Sequence, residues 1–311
     1  MLWEIEPRPY RDERDLARMR ELLVEGRRSA NGAYYVHVGD LNLWLFYPSA
    51  AHDWQEILFL WEEPGAGGGV RGWALLSPEW RAFDVFVHPQ ERGGQRAAEM
   101  HIWAEERLAG IVRACGGQDI RTMWVLEDDA VLTGHLEGRG FVRPDEYLVY
   151  HERSLESPIP DPALPQGYRV RPVAGESELA LRAAASHAAF TSQLPFEAYC
   201  QRYLGFMRSP AYDPARDLVV VAPDGRAAAF CVFWLDPANR VGLFEPAGTH
   251  PAFRQQGLGK AVLLEGLRRM QALGMRTAVV CAESDNPAAL ALYRSAGFRV
   301  ASRIRTYAKS L

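Results

Sequence analysis

No apolar run in the 311-residue chain approaches the roughly 20 residues of a membrane span. Residues 1–10 hold no apolar leader segment, so no membrane partner is expected and a cytoplasmic location is. Cysteine is sparse. Cys115, Cys200, Cys231 and Cys281 lie far apart among apolar neighbours, with no C-x-x-C pair and no His/Cys cluster at metal-ligand spacing. Buried free thiols and no metal are therefore expected. A basic excess is also missing: 35 Lys and Arg stand against 39 Asp and Glu, a net charge of −4, without a basic stripe interleaved with aromatics. That argues against a nucleic-acid partner. Neither the G-x-x-x-x-G-K-[ST] phosphate loop nor the G-x-G-x-x-G dinucleotide fingerprint occurs.

What is present is ample material for burial. Hydrophobic residues make up 48% and charged residues 24%, in the range of a globular chain, and the length suits two domains of ordinary size.

Those two domains read as one unit written twice. A strand candidate at 4–11 precedes Leu16, Met19, Leu22 and Leu23 on one helical face, and residues 168–173 followed by a helix over 179–190 repeat the order. Strand, turn and strand at 55–61, 64–69 and 70–76 are answered by 218–221, Pro223-Asp224-Gly225 and 227–234. The strand at 83–87 ends in His88-Pro89 and that at 245–249 in His250-Pro251, and an arginine, Arg92 or Arg254, follows each proline by three residues. Each half continues with a long helix and a strand, 120–126 or 277–282, and closes with Gly140-Phe141 or Gly297-Phe298. A repeat on this scale is a duplicated domain. Pro158, Pro160, Pro162 and Pro165 mark 154–167 as the linker, giving domains at 1–153 and 168–311. Strands alternating with helices, plus hairpins, predict an α/β fold with a mixed central sheet flanked by helices, formed twice.

Functional chemistry concentrates in the second copy. Residues 254–260 read Arg254-Gln255-Gln256-Gly257-Leu258-Gly259-Lys260, and Leu263, Leu267 and Met270 beyond them share one helical face. The glycines therefore fall where a helix begins. The free amides and partial positive charge of a helix N-terminus favour a pyrophosphate, and Arg254, Gln255 and Lys260 add donors around it. Downstream comes Asn286-Pro287-Ala288-Ala289-Leu290-Ala291-Leu292-Tyr293, then Gly297-Phe298. The order strand, R-x-x-G-x-G, helix, strand, N-P-x-A-x-x-L-Y-x-x-x-G-F resembles the GNAT superfamily of acyl-CoA N-acetyltransferases. The duplicated plan is similar to that of its mycothiol-synthase-like members.

The resemblance implies acetyl-CoA as cosubstrate, bound by Ala247, Gly248, Thr249, Arg254, Gln255, Gln256, Gly257, Leu258, Gly259, Lys260, Asn286 and Tyr293. It places the pantetheine arm along Ala247-Gly248-Thr249. Tyr293 follows Asn286 by two helical turns, and a phenol of pKa about 10 is close enough to a thiol of about 8.5 to protonate a departing thiolate. Asn286 either contacts the cofactor or caps its helix, for which Asn before Pro is well suited. An alkylamine of pKa about 10.4 must lose a proton before attack, and Glu245 is the expected base. It alternates with Ala247 and Thr249 on one strand face. Against that stands a Glu paired with an arginine such as Arg240 or Arg303. Glu283 and Asp285 are reserves, and His250 is expected only to end its strand, because His88 recurs in the other copy.

That first copy keeps the skeleton and loses these groups. By sequence Gln95, Arg96 and Ala97 stand at Gly257, Leu258 and Gly259, Asp129 at Asn286, Leu136 at Tyr293, and Phe83 at Glu245. The expectation is a degenerate first domain and an N-acetyltransferase site in the second, acting by direct attack on a primary amine of a small molecule. A non-catalytic acyl-CoA-binding module and acetylation of a protein N-terminus remain alternatives. The acceptor pocket is expected from loops within 191–217, and nothing in the sequence fixes an oligomeric state.

Overall fold

The computed structural model describes residues 6–30, 34–47, 53–63, 65 and 68–311. The first half runs β1 (Arg8–Pro9), α1 (Glu13–Arg28), α2 (Val38–Phe46), α3 (Trp54–Ile57), β2 (Leu58–Glu62), β3 (Val70–Ser77), β4 (Ala82–Val87), α4 (Gln95–Ala114), β5 (Asp119–Leu126), α5 (Ala130–Gly138) and β6 (Tyr147–Ser154). The second runs β7 (Arg169–Pro172), α6 (Leu179–Ala189), α7 (Phe196–Met207), β8 (Asp217–Val221), β9 (Ala227–Asp236), β10 (Val241–Thr249), α8 (Leu258–Ala272), β11 (Thr277–Glu283), α9 (Pro287–Ser295) and β12 (Arg299–Ser310). No helix among the described residues is long and apolar enough to cross a membrane.

Local chemistry explains the helix ends. The Asp12 carboxylate accepts from the Arg14 amide at 2.9 Å, acids fill the first turn of α1 and Arg27 and Arg28 its last, matching the helix dipole. Leu16, Met19, Leu22 and Leu23 are its buried face, as their spacing predicts. The two copies also end their fifth and ninth helices alike. Gly140 and Gly297 take φ of 84° and 86°, a left-handed turn in which the Phe141 and Phe298 amides reach back to the carbonyls of Leu136 and Tyr293.

Three expectations need adjustment. The strand forecast over 55–61 begins only at Leu58, because Asp53 caps a short helix over 54–57. Residues 191–217, expected as loops, contain α7, whose Tyr199, Tyr203, Phe206 and Met207 are buried on one face. The strand at 4–11 is confined to Arg8–Pro9, residues 4 and 5 lying outside the described residues, as do 64, 66 and 67 of the glycine-rich turn.

The twelve strands among the described residues form one mixed sheet in the order β1-β2-β3-β4-β5-β12-β6-β11-β10-β9-β8-β7. The centre of that order is an exchange. β6, the last strand of the first half, pairs with β11 from Thr277↔Ser154 to Glu283↔Leu148, while β12, the last of the chain, pairs with β5 from Ile304↔Leu126 to Ser310↔Asp119. β6 and β12 pair with each other between. Residues 155–168 are irregular chain, as the prolines require, yet each half lends a strand to the other. In the second half α8 and α9 cover one face of the sheet over Phe244, Val262, Leu263, Leu267 and Val280. The other face, around Phe230, Trp234, Leu243 and Val279, is covered by α6 and α7 and by α2 from the first half.

Candidate functional site

β10 pairs in parallel with β11 only from Val241 to Leu243, and beyond that point the two strands part. On its other edge β10 stays paired with β9, with a register shift between Phe244 and Ala247. Glu245 and Pro246 occupy that irregularity, where a proline without an N–H is tolerated. Ala247, Gly248 and Thr249 are again paired with β9, and their β11-side edge faces the opening. Unpaired backbone there can bond an extended ligand as another strand would.

The helix after this strand supplies a second set of free donors. Gly257 caps α8 in a left-handed conformation, φ 77°, with no side-chain cap, and the first intrahelical bond is Ala261 N–H to Gly257 O at 3.0 Å. The amides of Leu258, Gly259 and Lys260 are thus left for a ligand. The two glycines serve different ends. A Cβ on Gly257 would meet nothing within 4 Å, so its glycine answers to φ, whereas one on Gly259 would lie 2.8 Å from Thr249 Oγ1 and 3.3 Å from Leu292. Gly259 lets α8 pack against β10 and α9. Around the loop, exposed Arg254 donates to the carbonyls of Thr249 at 3.4 Å and Ala189 at 3.3 Å. Gln255 has a positive φ of 65°, the Gln256 side chain accepts from the Tyr168 hydroxyl at 3.1 Å, and Lys260 is exposed. This constellation suits a pyrophosphate.

Tyr293 lies 7% exposed on α9, its ring edge-on to His151 of β6 at 5.5 Å and near Phe298 at 6.0 Å. The hydroxyl makes no hydrogen bond among the described residues, and burial, followed by the field of Glu245, raises its pKa. Asn286 is a cap: its side-chain oxygen accepts from the Ala289 amide at 3.1 Å. His250 also caps, Nδ1 accepting from the Ala252 amide at 3.2 Å, as His88 does from Gln90 at 3.3 Å.

Glu245 has no cationic partner among the described residues. Arg303 turns to Glu127, and Arg240 makes no ion pair among the described residues. Burial first and the nearby Asp40 second push the Glu245 carboxyl up to about 8. Cys281 of β11 shares this space, its thiol raised by burial and then by Asp40 and Glu245. Of the reserves, Glu283 lies at the exposed end of β11 and Asp285 in the turn beyond it.

The first copy also reaches this part of the second, with Asp40 near Glu245, which the sequence did not reveal. α2 packs across β9 and β10, with His37 Nε2 3.2 Å from the Val241 carbonyl. Arg27 of α1 donates to the Tyr150 hydroxyl at 3.3 Å and to the Tyr35 carbonyl at 3.0 Å. Tyr34 meets the Tyr150 ring edge-on at 5.8 Å, and Tyr150 lies opposite Cys281 in the sheet. The one local signal was His37-x-x-Asp40, the spacing of a capping box.

The corresponding place in the first copy is built differently: a cavity bounded by Val85, Val87, Arg92, Gly94, Asp129 and His135 remains open there. β4 and β5 pair in parallel only at Ala82↔Arg121, so they too part, and the Asp84 carboxylate bonds across to β5. It accepts from Met123 N–H at 3.0 Å, Trp124 N–H at 3.1 Å and Thr122 Oγ1 at 2.9 Å, and burial raises it to about 7. Arg92 bridges to Asp129, joining the loop before α4 to the start of α5. The match of Gln95 to Gly257 shifts by one residue. Gly94 takes the capping place, Gly93 the positive φ of 74°, and Gln95 is the first helical residue, its amide donating to Glu99 at 2.7 Å. Leu136 is buried at the place of Tyr293, and Phe83 at that of Glu245.

Residues 182–298 match the acetyltransferase (GNAT) family. The chain is 29% identical over 266 residues to a mycothiol acetyltransferase of Saccharomonospora viridis, covering 79% of this chain and 86% of that one. It is 28% identical over 243 residues to a mycothiol acetyltransferase of Streptomyces coelicolor, covering 75% and 74%. Among solved structures, a tandem GNAT protein from the clavulanic acid biosynthesis pathway superposes with a TM-score of 0.71 at 17% identity, over 98% of both chains. A GNAT acetyltransferase from Sphaerobacter thermophilus gives 0.65 at 19%, over 98% and 95%. These two likenesses establish the fold across both halves.

Proposed function

This chain belongs to the GNAT family of acetyl-CoA-dependent N-acetyltransferases in tandem form, and from that premise we propose that its second half alone acetylates a primary amine of a small molecule. The observation that carries the reading is the opening between β10 and β11, which brings Glu245, the hydroxyl of Tyr293 and the free amides of α8 to one cleft. Its counterpart in the first half keeps a cavity but has Asp84 bonded to β5, Arg92 bridged to Asp129 and Leu136 in place of a phenol.

Acetyl-CoA supplies an acetyl group activated as a thioester. Its pyrophosphate is assigned to the amides of Leu258, Gly259 and Lys260, with Arg254, Gln255 and Gln256 around them, and its pantetheine arm to the edge of Ala247, Gly248 and Thr249. Asn286 acts by capping the α9 helix that holds Tyr293. Glu245 takes the proton from the acceptor ammonium, leaving a neutral amine as nucleophile. A carboxyl raised to about 8 is a stronger base than one of ordinary pKa, closer to an amine of about 10.4. Tyr293 holds its proton firmly and offers it to the sulfur as the thiolate departs. The bond formed is N–C(acyl) and the bond broken is C–S; nitrogen gives up two protons, one to Glu245 before attack and one as the amide forms, sulfur receives one from Tyr293, and the surplus proton passes to water.

Two features favour a small acceptor over a protein N-terminus. α2 of the first half packs on β10, the strand that carries Glu245, and α7 takes up part of the segment expected as open loops. The amine precursor of mycothiol is the first candidate, from the names of the relatives. A purely binding module is disfavoured, because an enclosed carboxylate without a cation costs stability unless it is used.

The test is thiol release from acetyl-CoA by the full-length protein with a panel of small amines, including that precursor, beside calorimetric titration with acetyl-CoA. One cofactor site and amine-dependent release are expected, both lost from a variant blocked at Gly257. Cofactor binding without release for any amine would remove the enzyme reading, and two sites would remove the assignment to one half.

A further inference from the structure

A cavity of about 280 Å³ lies where the first-half sheet, α2 and α7 meet. Its wall includes Asp84 of β4, Trp124 of β5, Trp80 of the turn between β3 and β4, Trp44 of α2, Tyr47 just beyond α2, and Arg202 of α7 from the second half. Neither Glu245 nor Tyr293 is on that wall, so this space is separate from the transfer cleft. Its volume stands near the lower end of ligand pockets, roughly 300–1,000 Å³.

One oxygen on this wall is left without a partner. Asp84 is 8% exposed, and its three hydrogen bonds, from Thr122 Oγ1 at 2.9 Å, Met123 N–H at 3.0 Å and Trp124 N–H at 3.1 Å, all end on Oδ1. Oδ2 accepts no hydrogen bond and the carboxyl makes no ion pair among the described residues. Nor is Oδ2 sealed in: with Oδ1 tied to β5, it is the oxygen that Asp84 offers to the cavity. A carboxyl enclosed to this degree is costly to ionise unless a donor or a cation meets it. Burial raises it to about 7, and a positive charge seated against Oδ2 would hold it ionised.

The rest of the wall favours a cation with an apolar body. The Trp44 and Trp124 rings stand 4.9 Å apart at a tilt of 37°, and Trp80, 64% exposed, stands at the mouth. Indole rings attract a positive charge through their faces and shield it from water. Of the other charged groups on the wall, Glu79 is acidic, and the basic Arg202 is engaged with Tyr47: its guanidinium lies 4.0 Å from the ring centre and its Nε donates to the Tyr47 carbonyl at 2.8 Å. We propose that this cavity binds a small organic cation, a protonated amine whose ammonium donates to Asp84 Oδ2 and whose apolar body lies among Trp44, Trp80 and Trp124. It is a second amine site, held mainly by the first half of the chain, and it stands whether or not Glu245 is the base of the transfer cleft.

The test is calorimetric titration of the full-length protein with phenethylammonium chloride and, separately, with 3-phenylpropionate, a probe of similar shape without the positive charge. Wild type, Asp84→Asn, Trp80→Ala and Glu245→Gln are compared. In Asp84→Asn the amide oxygen still accepts from β5 while the charge is gone, and Trp80→Ala removes an exposed ring, so it serves if the first variant fails to fold. Wild type should bind the ammonium in preference to the propionate. Affinity for the ammonium should fall about tenfold or more in Asp84→Asn, the usual worth of a charge-assisted hydrogen bond, and about threefold or more in Trp80→Ala. It should be unchanged in Glu245→Gln. No binding of the ammonium at millimolar concentration, equal binding of the propionate, or an affinity that neither Asp84→Asn nor Trp80→Ala lowers would overturn the proposal. Loss in Glu245→Gln alone would also overturn it, by placing the amine in the transfer cleft.

Discussion

Because β6 and β12 change places, a cut after the proline-rich segment should fail where one upstream of β6 succeeds. A fragment of residues 168–311 keeps β7 to β12 but loses β6, and with it seven paired positions along β11, from Thr277↔Ser154 to Glu283↔Leu148. At roughly one ladder hydrogen bond per pair and about 1 kcal/mol net for each, the loss is about 7 kcal/mol. That equals the whole stability of many domains, about 5–15 kcal/mol. β12 loses both of its neighbours as well. A fragment of residues 145–311 retains β6 between β11 and β12, and so keeps a sheet of seven strands. Thermal unfolding followed by circular dichroism, with acetyl-CoA titration of each fragment, separates the two. The longer piece should melt cooperatively and bind; the shorter should show no cooperative transition. A shorter fragment that melts and binds like the longer one would refute the reasoning, and would mean that β12 re-pairs with β11 directly.

Glu245→Gln should remove the limb of the kcat/KM profile that rises through about 8, since a base works only when deprotonated and activity falls below its pKa. The same carboxyl binds its proton more tightly folded than unfolded, so its contribution to stability is full below about 4.5 and lost as pH rises towards 8. The Tm of Glu245→Gln relative to wild type should therefore climb across that window, and a constant difference would contradict the burial. Tyr293→Phe keeps the ring contacts with His151 and Phe298, so Tm should hold while turnover drops by about 10²-fold or more, the usual worth of an acid. Undiminished turnover would return Tyr293 to a packing role. Gly257→Gln forces a side chain into a left-handed position at φ 77°, costing about 1–2 kcal/mol, and puts it in the space before the free amides. Acetyl-CoA affinity should be lost with the fold intact, and unchanged affinity would end the cradle argument.

Several parts of the site were legible because they are local. The capping glycine, the Asn-Pro helix start and the strand ending in His-Pro are all written within a few residues, and the structure places each where the spacing put it. The α7 helix was legible too and passed over: Tyr199, Tyr203 and Phe206 lie at i, i+4 and i+7, a buried helical face inside a segment expected as loop. The one-residue shift at Gln95 was not visible, because a gapless match assumes that both helices start equally far from their arginines. A left-handed Gly93 starts α4 one residue sooner.

By itself the sequence determined the duplicated α/β plan, the family resemblance and the glycine-capped helix start after the arginine. These depend on periodicity and short spacings, which the backbone converts into structure nearby. Only the tertiary structure decided that β6 and β12 change places, that Asp84 bonds across to β5, and that Asp40 of the first half lies near a carboxylate about two hundred positions away. Strand pairing and burial are settled by which surfaces meet when the whole chain condenses. The proton affinity of Glu245 follows from that meeting and from no property of its neighbours in sequence.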